Sequence, residues 1–243
     1  KKLNRPHTAK DFLLACNMLK GENISADILI GLSAQTAEQV KKSIDLAIAG
    51  GVSHISMYAL TPEVGTPIYT DYLNGELLSD DETADIYDSA RAYLAEKGFY
   101  RYEVSNFAKP GFESRHNLNY WRRGEYIGLG VAASSFIDGI RFTNTFSIDE
   151  YMNAIIYNKT PEISSDVIEG DDAKFEFIML GLRTAEGIDV SKYNAQFNAD
   201  FDMEYKSVLA KKGRFLERDG NRLKIKDEYL YVQNDIILEF MKG

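Results

Sequence analysis

The stretch Arg115-His-Asn-Leu-Asn-Tyr-Trp121 concentrates side chains that could bind a ligand. It holds one of the three histidines of the chain and its single tryptophan, and Arg122 and Arg123 follow it directly. Imidazole ligates metals, asparagine amides form hydrogen bonds, aromatic rings offer flat faces, and guanidinium groups pair with carboxylates. This combination suits a flat, anionic and partly apolar ligand. A surface loop with one half-buried tryptophan is the alternative, because loops are polar in general.

A second candidate is Asp27, which directly precedes the apolar run Ile28-Leu-Ile30. A carboxylate beside such a run is costly unless it has hydrogen-bond partners. One interpretation is that Asp27 binds the hydroxyl groups or the amine of a ligand. The other is that it stands at the entry of a strand and holds the amides of a neighbouring loop. The sequence alone does not choose between them.

Composition limits the classes of protein that fit. The chain has 243 residues, 44% of them hydrophobic, which suits one large domain or one domain with a small companion. The formal charge of -9 argues against general nucleic-acid binding and against a polybasic membrane anchor. Cys16 is the single cysteine, which excludes an internal disulfide and fits a reducing compartment.

The sequence has no stretch that is long and apolar enough to span a bilayer, and it opens without a signal peptide. We therefore expect a soluble, cytoplasmic protein. The chain begins with Lys rather than Met, so we also expect it to be a piece of something longer.

Strands and helices alternate through residues 1–110. The predicted elements are a helix over 8–19, strands over 25–30, 52–60 and 100–104, and helices N-capped by Thr36 and Ser79. Gln39 and Glu82 supply the capping-box partners three residues on. The alternation favours an α/β sheet with parallel pairing and right-handed crossovers. Ligands of such sheets bind at the carboxyl ends of strands, where Gly31 and the segments 60–66 and 105–107 fall.

The rest of the chain has a different pattern. Residues 111–168 contain a predicted hairpin over 134–143 that turns at Asp138-Gly139, a helix over 147–157, and a linker over 161–170. Residues 169–243 contain a helix with the stripe Phe175, Ile178, Met179 and Leu182, helices over 190–197 and 200–212, a hairpin over 215–225 around Asp219-Gly220, and a closing helix marked by Leu230, Asn234, Ile237, Leu238 and Met241. Three helices, a hairpin and a helix are typical of a small winged-helix-like α+β domain.

A winged helix raises the hypothesis of a DNA-binding regulator. Residues 206–226 carry eight basic and two acidic side chains, a local excess that could meet phosphates. Residues 171–243 as a whole, however, carry 12 basic and 14 acidic side chains. The helix that would enter the groove also begins with Asp200, Asp202 and Glu204, which repel the DNA backbone. A solvated or domain-docking surface is therefore favoured over DNA binding.

Further motifs follow one another along the chain. They are Asn4-Arg5-Pro-His7, Asp27-Ile-Leu-Ile-Gly-Leu-Ser-Ala-Gln-Thr36, His54-Ile-Ser-Met-Tyr-Ala-Leu-Thr-Pro62 with Gly65-Thr-Pro67, Tyr102-Glu-Val-Ser-Asn-Phe-Ala-Lys-Pro-Gly111, His116-Asn-Leu-Asn-Tyr-Trp121, Leu180-Gly-Leu-Arg183 and Glu186-Gly-Ile188. In this order they resemble the oxygen-independent coproporphyrinogen III oxidase-like group of radical S-adenosylmethionine proteins, especially its haem-chaperone branch. The resemblance covers essentially the whole chain.

The resemblance implies a fold and a set of ligands. The fold is a partial (β/α) barrel, the second half of a (β/α)6 radical S-adenosylmethionine barrel, followed by the winged-helix-like domain. S-adenosylmethionine is expected at Arg5, Asp27, Leu29, Gly31 and Ala59. Haem is expected at His116, Asn117, Tyr120 and Trp121, with His116 as the candidate iron ligand. Arg115, Arg122 and Arg123 are further candidates to pair with the haem propionates.

The chain departs from the family at two places. The family holds a [4Fe-4S] cluster with Cys-x-x-x-Cys-x-x-Cys, whereas this chain has Cys16 alone and cannot build that site. Either the N-terminal half-barrel with the cluster is missing, or the cysteine region has been lost. In the turn after the first strand, Ser33 and Ala34 stand where Pro and Gly are usual.

The resemblance implies a haem chaperone that passes haem to an unidentified acceptor protein. The alternative is a coproporphyrinogen III oxidase, which converts propionates of a porphyrinogen to vinyl groups. We expect the present chain alone to be inactive in radical chemistry, because it lacks the cluster ligands.

Overall fold

The computed structural model describes residues 6–241, and it divides into two compact units between Ser114 and Arg115. The elements of unit 1 are α1 (Ala9–Met18), β1 (Ser25–Ile30), α2 (Ala37–Ala49), β2 (His54–Ala59), α3 (Pro67–Leu73), α4 (Asp80–Glu96), β3 (Tyr100–Arg101) and β4 (Asn106–Ala108). Both predicted capping boxes are confirmed, because Thr36 and Ser79 accept from the amides of Gln39 and Glu82 and those side chains bond back. Local sequence therefore sets where α2 and α4 begin.

The sheet of unit 1 has the strand order β1-β2-β4-β3. β1 and β2 pair in parallel, as predicted for a strand–helix–strand unit. The prediction of a third parallel strand over residues 100–104 is partly confirmed, because β3 runs in the same direction as β1 and β2 but is shorter and is separated from β2 by β4. Only Tyr100–Arg101 is a strand, and the chain then turns back so that β4 lies antiparallel between β2 and β3. The amide of Met57 donates to the carbonyl of Ser105 at 2.8 Å, which fixes this return.

The two faces of this sheet differ. One face is apolar and packs on α2 and α4, with a fully buried core that includes Ile30, Ile44, Ile55, Leu94 and Phe107. The other face carries the alternate side chains of β1 and β2, several of them polar. A sheet covered by helices on its apolar face confirms the α/β class, and the four strands do not close into a barrel within the described residues.

Unit 2 contains short helices and two three-stranded sheets. Its elements are α5 (Arg115–Trp121), β5 (Ser134–Ile137), β6 (Ile140–Asn144), α6 (Ile148–Ile156), β7 (Glu162–Val167), α7 (Gly170–Gly181), β8 (Ile188–Asp189), α8 (Val190–Phe197), α9 (Phe201–Glu204), α10 (Lys206–Lys212), β9 (Leu216–Asp219), β10 (Arg222–Ile225) and α11 (Gln233–Leu238). Short 3-10 helices cover Gly213–Phe215 and Asp227–Val232.

The first part of unit 2 is a three-stranded antiparallel sheet, β5-β6-β7. The predicted hairpin is confirmed, since Asp138 and Gly139 have φ of 50° and 76° and form a two-residue turn of the type that matches strand twist. The prediction of a linker over 161–170 is wrong, because Glu162–Val167 is β7 and pairs with β6. Every residue of β7 is exposed, so its sequence lacks the buried positions that signal a strand.

The second part of unit 2 is winged-helix-like, as predicted, with the sheet order β8-β10-β9. Its core is aromatic and includes Tyr193, Phe201, Tyr205 and Phe240. The helix predicted over 200–212 is broken at Tyr205 into α9 and α10. The predicted stripe of the closing helix is partly wrong, because Leu238 and Met241 are exposed while Ile236 and Phe240 are buried. Within the described residues, no helix has the length and apolar character needed to cross a membrane.

Candidate functional site

The polar face of unit 1 is built by alternate residues of β1 and β2. Ser25, Asp27 and Leu29 lie opposite His54, Ser56 and Tyr58 in the parallel register. Asp27 is exposed, and its carboxylate makes no hydrogen bond or ion pair within residues 6–241. The interpretation that it holds loop amides therefore has no support from its contacts. An open carboxylate on this face remains available to a ligand.

The carboxyl ends of β1 and β2 bring together most of the residues expected to hold S-adenosylmethionine. Ile30 and Ala59 are partners in the register, and the amide of Leu60 donates to the carbonyl of Ile30 at 2.8 Å. Gly31 follows with φ of 88°, and a Cβ there would lie 3.3 Å from Oγ1 of Thr83. Arg5 lies outside the described residues.

The turn after β1 contains the two residues that depart from the family pattern, Ser33 and Ala34. Ala34 has φ of 49°, the left-handed region that glycine adopts without cost. The side-chain amide of Gln35 donates to the carbonyl of Leu29 at 3.0 Å and ties the turn to the strand. The structure therefore accommodates Ala34 as a strained residue held by its neighbours.

A histidine that sequence reasoning missed lies at the centre of this polar face. His54 is half-buried, with Nδ1 2.8 Å from the hydroxyl of Ser25 and Nε2 2.7 Å from the hydroxyl of Tyr102. The amide of Ser114 donates to the Tyr102 oxygen at 3.3 Å, which holds that hydroxyl beside Nε2.

Burial lowers the pKa of His54 below its ordinary value, while the nearby Asp27 carboxylate opposes this shift. The neutral imidazole is therefore favoured in the folded protein. The signal in the sequence was a histidine that alternates with Ser56 and Tyr58 along one strand face. Its two hydrogen-bond partners lie 29 and 48 residues away in the sequence, so no local sequence pattern pointed to them.

The Arg115–Trp121 stretch forms helix α5, which contradicts the alternative of a surface loop. His116 is exposed, and its ring meets the edge of Tyr120 with centroids 4.6 Å apart. Tyr120 meets Tyr126 in the same geometry, also at 4.6 Å. The amide side chain of Asn119 donates to the carbonyl of Glu125 and fixes the turn that follows. Helical spacing of four residues thus places His116 on an aromatic support.

Two cavities flank α5. One has a volume of about 520 Å³ and is lined by Tyr120, Tyr126, Phe136, Arg141 and Met179 among others. The other, of about 280 Å³, is lined by Trp121 and by residues of the winged-helix-like part. The structure therefore brings His116 and Tyr120 together, while Trp121 lines a separate cavity. Asn117 is half-buried between them in the chain.

Arg123 was expected to be a candidate to pair with a haem propionate, but its guanidinium already has partners within the protein. Its guanidinium donates to Glu176 at 2.7 Å and to the carbonyl of Ile168 at 3.2 Å, and its side chain is 11% exposed. Arg141 donates to the other oxygen of the Glu176 carboxylate. Both guanidiniums lie over the Phe136 ring, at 4.8 and 5.2 Å from its centroid. One buried carboxylate thus joins the end of α5, β6 and α7.

The basic side chains of residues 206–226 are largely neutralised inside unit 2. Arg218 forms two hydrogen bonds with Asp202, and Lys211 donates to both oxygens of Glu239. Lys224 pairs with Glu217 at 3.5 Å. Charges that are paired within the protein are poor partners for phosphates, which weakens the DNA-binding hypothesis further.

The side chains of this chain do not fit an iron–sulfur cluster. The sequence has one cysteine, and Cys16 is buried in α1. Across residues 6–241, no group of three or more His, Cys, Asp and Glu side chains is arranged to hold a metal ion. The described residues alone therefore cannot hold the iron–sulfur cluster that radical chemistry requires.

Comparison with known proteins gives a consistent result. Residues 168–231 match the family model of the HemN C-terminal domain. The chain is 32% identical to the heme chaperone HemW of Lactococcus lactis over 99% of its own length and 65% of that protein. It is 31% identical to the heme chaperone HemW of Bacillus subtilis, over 86% of the chain and 56% of the relative.

A solved structure resembles the chain in fold. Coproporphyrinogen III oxidase (HemN) from Escherichia coli, described as a radical SAM enzyme, superimposes with a TM-score of 0.77 over 98% of this chain and 60% of that one. The sequence identity is 16%, so this likeness concerns the fold alone. The chain spans less than two thirds of the length of each of these three proteins.

Proposed function

Because this chain belongs to the coproporphyrinogen III oxidase-like radical S-adenosylmethionine family, in its haem-chaperone branch, we propose that the protein containing it binds haem and passes it to an acceptor protein. Two sequence relatives that are named as heme chaperones support this proposal. The observation that carries it is the exposed imidazole of His116 on α5, supported by the Tyr120 ring. Imidazole is a common protein ligand of haem iron, and an exposed ring needs no rearrangement to bind it.

S-adenosylmethionine fits the carboxyl ends of β1 and β2. The free carboxylate of Asp27 suits ribose hydroxyls. Leu29 and Ala59 would supply apolar contacts, and the guanidinium of Arg5 suits the carboxylate of the cofactor. When bound beside a reduced cluster, this cofactor supplies radical chemistry. We propose that the cluster ligands come from a half-barrel outside this chain.

Haem titration of the full-length protein tests the chaperone role. His116→Ala is expected to abolish the shift of the Soret band that ligation by imidazole gives, because the variant lacks the iron ligand. His7→Ala, which removes another exposed histidine, serves as the matched control and should leave the shift intact. An unchanged spectrum in His116→Ala would exclude His116 as the ligand.

Coproporphyrinogen III oxidation is the second candidate, because residues 168–231 match the family model of the HemN C-terminal domain. The two functions separate in a product assay of the full-length protein with its cluster reconstituted. A chaperone forms no protoporphyrinogen from coproporphyrinogen III, whereas an oxidase does. The sequence relatives favour the first outcome.

A further inference from the structure

The Trp121 cavity combines an apolar wall with a charged rim. Its apolar wall is formed by Leu118, Trp121, Phe177 and Ile188. Its polar lining includes four basic side chains, Arg122, Arg123, Lys192 and Arg222, and two acidic ones, Glu186 and Asp189. The lining is therefore net positive, whereas the chain as a whole has a formal charge of -9. An apolar pocket with a few convergent charges is the usual form of a small-molecule site.

Glu186 shows where this cavity places a carboxylate. One oxygen of Glu186 lies 3.0 Å from Arg122 on α5, and the other lies 3.9 Å from Arg222 on β10. All three side chains are about half exposed, at 57%, 52% and 45% for Arg122, Glu186 and Arg222. Guanidiniums from two separate elements therefore converge on one carboxylate that solvent can reach. A carboxylate carried by a ligand would meet the same geometry.

Lys192 adds a cation that is not already used. It lies in the first turn of α8, is exposed, and has no carboxylate within ion-pair distance among residues 6–241. Arg123, in contrast, is neutralised by Glu176. The free positive charge of the cavity thus resides on Lys192, and the shared charge on Arg122 and Arg222.

We propose that the Trp121 cavity binds a propionate of haem, with Lys192 and Arg222 as cations and Glu186 as the carboxylate that the propionate displaces. The apolar wall would then contact the porphyrin edge from which the propionate extends. This inference rests on the proposed haem-binding function. It adds the Trp121 cavity as the place where a propionate of haem would bind. Glu186 would act as an internal competitor that weakens binding.

The test compares haem with haem dimethyl ester, which lacks the two free carboxylates, in titrations of the full-length protein. Lys192→Gln combined with Arg222→Gln is expected to weaken haem binding about tenfold, the usual effect of losing a charge-assisted contact. Glu186→Gln is expected to tighten haem binding, because it removes the competing charge while keeping the side-chain size. Neither variant should change the affinity for the dimethyl ester.

Lys159→Gln combined with Lys206→Gln is the control, since it changes the net charge equally at two exposed lysines outside the cavity. Equal weakening in this control would overturn the proposal in favour of a general charge effect. Equal affinity of wild type for haem and its ester, or no tightening in Glu186→Gln, would also overturn it. Those outcomes leave the His116-dependent Soret shift in place, whereas loss of haem binding by wild type would refute the proposed function itself. Unchanged ester binding confirms that each variant is folded.

Discussion

At the scale of single residues, Gly31 illustrates how the backbone limits what a position accepts. Its φ of 88° is unfavourable for any residue with a Cβ, and that Cβ would also approach Thr83 at 3.3 Å. Gly31→Ala is therefore expected to lower the free energy of unfolding by more than about 1 kcal/mol, the cost of alanine at positive φ alone. Chemical denaturation of the purified protein measures the difference.

Gly65→Ala is the matched control, because Gly65 has φ of 86° and a Cβ there would meet nothing within 4 Å. Gly65→Ala should therefore show the cost of placing alanine at positive φ, without the added cost of a steric contact. An equal decrease in the free energy of unfolding of the two variants would mean that the Thr83 side chain moves aside without cost. The space at Gly31 would then not be sterically restricted.

His54 makes the stability of unit 1 depend on pH. Its folded-state pKa lies below the ordinary value of 6.5, so the unfolded chain binds the proton first as the pH falls. The stability contributed by neutral His54 is complete above about pH 6.5 and is lost as the pH falls towards the lowered folded-state value. The melting temperature should therefore drop on acidification in this range, as measured by circular dichroism.

His54→Gln should flatten this pH dependence, because glutamine does not titrate. An identical pH profile for wild type and His54→Gln would show that other groups govern the acid sensitivity.

Residue types alone pointed to two residues of the candidate site, whose roles stay predictions. Asp27 and His116 stood out because a lone carboxylate or imidazole in its local sequence needs an explanation. His54 did not, since its partners Ser25 and Tyr102 lie far away in sequence and meet it only through strand pairing. Arg123 was misassigned because its sequence neighbours gave no sign of Glu176, 53 residues on.

At the scale of elements, short-range signals were reliable and long-range pairing was not. The capping residues Thr36 and Ser79 and the turn at Asp138 act within three residues, and the structure confirms all three. β4 and β7 were missed because their strands are defined by partners elsewhere. β7 has no buried residue, and β4 has three residues, too few to show a period.

Glu176 joins elements that are far apart in sequence, so its loss should be severe. Glu176→Gln is expected to lower the free energy of unfolding by about 3 kcal/mol, because it leaves the partly buried Arg123 and Arg141 without their carboxylate. Thermal or chemical unfolding of the variant measures this cost.

Glu239→Gln provides the comparison, since Glu239 pairs with the exposed Lys211. Surface pairs contribute little, so its loss should be far smaller. Similar losses in the two variants would contradict a structural role for the buried carboxylate.

At the scale of the whole molecule, the order of the motifs predicted the fold class. The composition predicted that this chain lacks the cysteine ligands of a [4Fe-4S] cluster. A chain with one cysteine cannot supply three thiolates. Anaerobic reconstitution of residues 1–243 with iron and sulfide is therefore expected to yield no stoichiometric [4Fe-4S] cluster, as judged by iron content and visible absorption. Cys16→Ala should behave identically. Stable cluster formation by this chain, lost in Cys16→Ala, would contradict the expectation.

The position of β1 in unit 1 has a practical consequence. It pairs with β2 on one side, and the strand order leaves its other side at the margin of the sheet. Within residues 6–241 no strand pairs with this outer side of the six-residue β1, and an open strand edge is a template on which further chains can add. Concentrated solutions of residues 1–243 should therefore aggregate in a concentration-dependent way that light scattering detects, and full-length preparations are the better material for biochemistry.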